Sequence, residues 1–287
     1  MKVFVTGATG WVGFAVVQEL LDAGHHVTGL VRSADKAAAL AATGAQVLKG
    51  TLEELDTLHQ AAGAADAVIH TAFNHDFSRF IANCEQDRCA IEVLGSALEW
   101  SDRPLLVTSG LLGLARGANE AALPEPGPRK SEVAARALAA RGVRAATVRL
   151  APSVHGPGDK GFIPLLMRLA QDKGVSAYCS DTDNCWAGVH RQDAARLYRL
   201  ALEHGVTEPV YHAVADEAVP FRHIAEVIGR RLGLPVAARG PDHFGWFAHF
   251  AGTDLSASSS HTRELLRWKP AGPGLLADLE QTRDYVL

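Results

Sequence analysis

The chain has 287 residues, 47% of them hydrophobic and 21% charged, with 28 Lys and Arg against 32 Asp and Glu. That length and apolar content suffice for a sizeable core and exclude a disordered chain, and a net charge of −4 offers nucleic acid no basic face. No stretch approaches the roughly 20 apolar residues of a membrane span, and MKVFVTGATG puts glycines where a secretory signal carries its apolar core, so a cytoplasmic protein without a membrane partner is expected.

Strand and helix signals alternate through the first half. Lys2–Thr6 reads as a strand, followed by a glycine turn and an apolar-periodic helix from Trp11 to Ala23 that Gly24 can stop. His26–Val31 is a second strand, Ser33 is placed to cap a helix to Ala42, and Ala45–Leu48 is a third strand. Thr51 and Glu54 have capping-box spacing, which predicts a helix starting there. Strands at Ala67–His70, Pro104–Thr108 and Arg144–Leu150 then alternate with helices at Arg79–Leu98 and Ser131–Ala140. Strands separated by helices of this length imply a parallel sheet with right-handed crossovers: a doubly wound α/β domain of the Rossmann type over residues 1–150.

From Ala151 the rhythm breaks, and residues 151–287 read as a smaller α+β substrate-binding region with some return to the core. It predicts a Gly156–Gly158 loop, a helix at Phe162–Lys173, a hairpin within Val175–Val189 and a helix at Gln192–Glu203. A strand at Val210–Val214, a helix at Phe221–Leu232, an aromatic tail and a short helix at Leu275–Tyr285 follow. This region should cap the carboxyl ends of the sheet strands, where ligands bind in open α/β sheets. The four cysteines form two close pairs, Cys84/Cys89 and Cys179/Cys185. Neither pair has zinc spacing and cytosol keeps thiols reduced, so free thiols and no metal are expected.

The strongest motif is Gly7-Ala8-Thr9-Gly10-Trp11-Val12-Gly13, between the first strand and the first helix. Gly7 permits the tight turn, Gly10 admits a pyrophosphate to the backbone, and Gly13 lets the helix lie on the sheet, while the helix N-terminus offers free N–H groups to phosphates. About twenty residues on, where an acidic residue would hold a ribose 2′-hydroxyl, this chain has Arg32, whose guanidinium suits a 2′-phosphate. The cofactor expected is therefore NADP.

These segments resemble the short-chain dehydrogenase/reductase superfamily, in its extended or atypical NAD-dependent epimerase/dehydratase branch. The glycine loop is joined, in the family's order, by Asp66–Ala72, Leu106–Gly110, Val148–Gly158 and Val189–Ala195, which together span nearly the whole chain. The resemblance implies Leu52 near the adenine, Thr71 and Ala72 beside the cofactor, and Pro152, Ser153 and Val154 along the nicotinamide. It also allows a homodimer through the helices before strands five and six. The family's Asp before the leucine is Thr51 here, and a capping role for that residue is preferred.

The main departure is catalytic. The segment Leu123–Glu132, where the family carries Tyr-x-x-x-Lys, has no tyrosine, and the chain's tyrosines are Tyr178, Tyr198, Tyr211 and Tyr285. Other groups then come into question. Ser109 follows strand five and is suited to orienting a reacting oxygen; Lys130 can polarise a carbonyl or hold the nicotinamide ribose. His75 and His155 lie on loops that should open toward the nicotinamide and are candidate proton donors. Asp76, His190, Phe244, Trp246 and Phe247 are candidate substrate-binding residues, the aromatics, with Phe250, as an apolar wall or as core packing. The expected activity is NADP(H)-dependent reduction of a small, largely apolar ketone, aldehyde or imine, since an iminium is already electrophilic and needs less acid assistance. A nucleotide-sugar epimerase or dehydratase, or a non-catalytic NADP-sensing regulator, remain as alternatives.

Overall fold

The computed structural model describes residues 1–281, and its elements run in the following order. Strand β1 (Lys2–Thr6) leads to α1 (Trp11–Asp22), β2 (His26–Val31), α2 (Ala34–Ala41), β3 (Gln46–Lys49), α3 (Leu55–Gly63) and β4 (Ala67–His70). Then come α4 (Phe80–Ser96), β5 (Leu105–Gly110), α5 (Ser131–Ala140), β6 (Ala145–Leu150), β7 (Ser153–His155), α6 (Phe162–Lys173), β8 (Ser176–Cys179) and β9 (Cys185–His190). The remainder is α7 (Arg191–Glu203), β10 (Val210–Ala213), β11 (Asp216–Pro220), α8 (Phe221–Leu232), β12 (Val236–Arg239), α9 (Ala248–Gly252), α10 (Ser260–Leu266) and α11 (Leu275–Gln281). The expected final helix thus begins at Leu275 as read, and Tyr285 lies outside the described residues.

Seven strands form one parallel sheet in the order β10-β6-β5-β4-β1-β2-β3, the Rossmann-type α/β fold. Buried runs such as Val3–Thr6 and Leu105–Val107 are apolar on both faces because helices cover both. One face packs α1 and α7 through Val16, Leu20, Leu197 and Tyr198; the other packs α3, α4 and α5 through Leu58, Ile91, Leu94 and Leu138. The order reverses at β1, which pairs with β4 on one side and β2 on the other, and a crevice opens at the carboxyl ends of such strands.

The second half departs from the sequence reading in two places. Ser176–Cys179 and Cys185–His190 are not a hairpin: β8 pairs in parallel with β12, and β9 lies between β11 and β7. The intervening turn carries Asn184, whose amide donates to Ala251 O and Thr253 O at 3.0 Å and ties it to the tail. Meanwhile β10 returns to extend the main sheet beside β6, so the C-terminal region is threaded through the core. The helix expected from Thr51 starts at Leu55 instead: Glu54 reaches back to Thr51 N (3.2 Å) and Oγ1 (3.3 Å), closing a turn before the helix begins. All four cysteines are free thiols, and among the described residues no helix is long and apolar enough to cross a membrane.

A buried ion pair anchors α5 to the sheet. The Arg149 guanidinium on β6, fully buried, donates to both Glu132 oxygens (2.8 and 2.6 Å), to Ala122 O (2.8 Å) and to His212 Nε2 (3.0 Å). Burial raises the Glu132 carboxyl, but the bonds from Arg149 outweigh it and leave it below the ordinary value. Its contribution to stability is therefore complete above the ordinary glutamate range and is lost as pH falls through the lower folded value. Removing the carboxylate strands a buried guanidinium, so Glu132→Ala should cost about 3–5 kcal/mol, read as a lower urea midpoint. An unchanged midpoint contradicts this account of the anchor.

Candidate functional site

The glycine turn sits at the reversal point. Gly7 has φ +69°, and a Cβ there would lie 2.6 Å from Ala72 N and 2.8 Å from Ala72 Cα. At Gly13 a Cβ would collide with the Gly7 carbonyl and stand 2.5 Å from Thr71 Oγ1. The turn therefore lies against the end of β4, where Thr71 Oγ1 donates to Thr6 O at 2.8 Å. Helix α1 begins after Gly10, in extended conformation with no side-chain cap, leaving the first-turn N–H groups of Trp11, Val12 and Gly13 for a ligand beside Thr9. This cradle, filled by any added Cβ and open at the helix end, fits a dinucleotide pyrophosphate.

At the end of β2, Arg32 is exposed and without an ion-pair or hydrogen-bond partner among the described residues. Ser33 occupies the N-cap of α2 as read, yet makes no capping bond, so its hydroxyl also stays unengaged. Lys36, one turn further, is exposed too, a cation that sequence reading passed over. Leu52 is half-buried against the core on the α3 side. On the other side, Trp11 donates through Nε1 to Val154 O at 2.6 Å, while Arg191 covers its ring at 4.0 Å. Pro152 and Val154 remain half-exposed beside it; Ser153 is buried.

The strand ends beyond the cradle carry the polar groups. Ser109, near the end of β5, is half-exposed and its hydroxyl has no partner among the described residues. Lys130 turns away from it: its Nζ donates to Glu85 on α4 at 3.0 Å, near the surface. This corrects the expected role for Lys130, because the backbone entering α5 directs the preceding residue inward instead. Arg129 lies with its guanidinium 3.8 Å over the Phe73 ring, donating from Nε to Ser131 Oγ (2.8 Å) and from Nη2 to Thr108 O (3.3 Å). No local pattern singles it out; an arginine in a Pro- and Lys-containing loop reads as solvated.

Behind Arg129 runs a buried polar chain. Ser131 Oγ donates to Asp87 Oδ2 at 2.5 Å, Asp87 Oδ1 is 3.0 Å from His70 Nε2, and His70 Nδ1 is 2.8 Å from Thr6 Oγ1 under the glycine turn. Tyr198 is the tyrosine near this site, but its hydroxyl, 2.7 Å from Thr108 Oγ1, is fully buried and its acidity is further suppressed by desolvation. With that hydroxyl buried and engaged, it is not available to a ligand in the crevice.

The loop after β4 supplies an aromatic surface. His75 meets Phe73 edge-on at 5.3 Å; Phe77 stacks on Phe80 at 5.9 Å and meets Trp246 of the tail at 5.2 Å. Desolvation, then the nearby Arg129 cation, holds His75 below the ordinary histidine value. Asp76 caps the short turn Phe77–Arg79, accepting from Ser78 N (3.1 Å) and Oγ (2.5 Å). Trp246 is 60% exposed, whereas Phe244 and Phe247 are buried in the C-terminal core with Phe221 and Trp186. Those two are packing residues, since the tail folds back over β9 and α8.

His155 is also corrected. Alternation along β7 puts it on the opposite face from Val154, fully buried, with Nδ1 3.0 Å from Asp278 and its ring 5.7 Å from His190. His190 is itself buried; its Nδ1 accepts from Gln192 N (3.4 Å) at the start of α7. Asp159 beside them has its carboxyl pushed up to about 6 by burial. These groups form an internal polar cluster under the tail.

The comparisons with known proteins agree with this geometry. A family model described as NAD(P)H-binding matches residues 7–151. An uncharacterized protein of Schizosaccharomyces pombe is 45% identical over 97% of this chain and 98% of its own. A 2-alkyl-3-oxoalkanoate reductase of Stenotrophomonas maltophilia is 26% identical over 82% of this chain and 77% of its own. The fold matches that of a dTDP-glucose 4,6-dehydratase of Streptomyces venezuelae, solved with NAD bound, at a TM-score of 0.77 and 21% identity, covering 98% of this chain and 95% of that one. The chain belongs to the NAD(P)H-binding family.

Because the Gly13 Cβ would meet backbone, Gly13→Ala should weaken nicotinamide nucleotide binding by about tenfold or more, measured by calorimetry on protein whose melting is cooperative. Wild-type affinity in that variant contradicts the cradle.

Proposed function

We propose that this chain is an NADP(H)-dependent oxidoreductase that reduces a small, largely apolar ketone, aldehyde or imine. The observation that carries the reading is the adjacency of an open glycine cradle on β1 to an unengaged hydroxyl, Ser109, and an inward guanidinium, Arg129, at the ends of β5 and α5. When bound, the nicotinamide supplies the hydride. The chain's own residues orient the acceptor: Ser109 can donate a hydrogen bond to its oxygen, Arg129 can hold a polar substituent beside it, and the Phe73–Trp246 surface excludes water from its apolar part. Arginine holds its protons in this range and a serine hydroxyl is a poor acid, so water reaching the site supplies the proton of the reduced oxygen.

NADP over NAD is supported by Arg32, Ser33 and Lys36, unengaged around the end of β2. The named reductase among the relatives acts, by its name, on an oxoalkanoate, a carbonyl compound with an alkyl body, which is in keeping with this class of substrate.

Two measurements test the proposal. Arg32→Ala should lower NADPH affinity by about tenfold and leave NADH nearly unchanged, because a charge-assisted bond is worth about 1.5–3 kcal/mol. With NADPH and a panel of aldehydes, ketones and cyclic imines, the protein should oxidise the cofactor, and Ser109→Ala should slow that turnover by about 10- to 100-fold at unchanged NADPH affinity. Tight NADPH binding with no turnover across the panel would instead mark a nucleotide-sensing protein.

A further inference from the structure

Resting on the reading of this crevice as a substrate site, we infer that Arg129 is a specificity residue that selects substrates carrying a carboxylate beside an aromatic or branched apolar body. The guanidinium is partly buried, lies 3.8 Å from the centre of the Phe73 ring, and hydrogen-bonds no carboxylate among the described residues. The nearest, Asp87, is reached only through Ser131, and its other oxygen already faces His70. Among the described residues the Nη1 nitrogen donates to no acceptor, and the Nη2 bond to Thr108 O is long at 3.3 Å. Desolvation burdens this cation and, outweighing the attraction of Asp87, holds its pKa below the ordinary arginine value. A cation taken out of water without a counter-charge gains most from an anion arriving with the ligand.

The anion's class follows from what surrounds it. A phosphate dianion wants a second cation, but the adjacent Lys130 is held by Glu85. A planar monoanionic carboxylate matches one guanidinium fork. The apolar body has rings ready for it: Phe73 beneath Arg129, then Phe77, 37% exposed, and Trp246, 60% exposed, meeting across the mouth. Arg129 itself is fixed from behind by the Ser131–Asp87–His70 chain, so little side-chain freedom is lost when it binds.

The test is a binding comparison between hydrocinnamate and its neutral isostere hydrocinnamamide, by calorimetry on full-length protein saturated with NADPH. The acid should bind about tenfold or more tightly than the amide. Arg129→Gln should bring the two to parity while NADPH affinity stays within about twofold. Arg129→Lys, which keeps the charge but not the fork, should retain part of the preference. Equal binding of acid and amide by the wild-type protein overturns the inference, as does a preference that survives Arg129→Gln; if that variant does not fold, the wild-type ratio and Arg129→Lys decide. Failure of NADPH to bind, with the acid preference intact in the nucleotide-free protein, would sink the cofactor reading and leave this one standing. Bound NADPH with acid and amide alike would do the opposite.

Discussion

Everything at this site depends on one close approach of backbone to backbone: the turn from Gly7 to Gly13 lying against the last residues of β4. Side chains would fill that gap, with Ala72 N only 2.6 Å from a Gly7 Cβ, and Thr71 Oγ1 2.5 Å from a Gly13 Cβ. Without them α1 lies down on the sheet and its uncapped first turn faces the crevice at the strand reversal. The same contact fixes where the rest of the crevice can be. Once the cradle closes on β4, the neighbouring ends of β4 and β5 supply the loops next to it, and those loops carry Phe73, His75 and Ser109.

The buried chain from Thr6 through His70 and Asp87 to Ser131 couples that cradle to the other wall. A half-satisfied polar network in a sheet core is destabilising, but this one has a partner at each step, and its far end terminates on Arg129. The arrangement explains why α4 and α5 tolerate polar residues facing inward: Asp87 and Ser131 are both buried and both spent on the same chain of bonds. A rigid cation at the carboxyl edge of the sheet is the outcome, set by the same packing that holds the glycine turn.

Much of this was readable before any coordinates. Alternating apolar runs located each strand of the first half, because parallel strands buried on both faces are continuous apolar segments between helices. The cradle was readable because glycine has a backbone meaning that no neighbour can alter. Elsewhere the outcome was set by contacts distant in sequence. Ser176–Cys179 and Cys185–His190 have the look of a hairpin, but their partners, β12 and β11, come from further along the chain. Phe244 and Phe247 could face a ligand or a core on pattern alone, and the fold-back of the tail buries them while leaving Trp246 out. Lys130 and Arg129 differ by one position at the entry to a helix, where no periodicity yet operates, so only the path of the incoming loop decides which cation points inward.

That one-residue difference bears on the chemistry proposed for the crevice. A tyrosine hydroxyl can hydrogen-bond an acceptor and also give it a proton; Tyr198, buried with its hydroxyl on Thr108, can do neither. A guanidinium polarises an oxygen strongly but holds its own protons, and a serine hydroxyl orients the oxygen while being a poor acid. In the proposed reaction, orienting the oxygen and delivering its proton are therefore not combined in one side chain. Such a division favours acceptors that need little acid assistance, an iminium or a carbonyl activated by its own substituents, over an unactivated ketone.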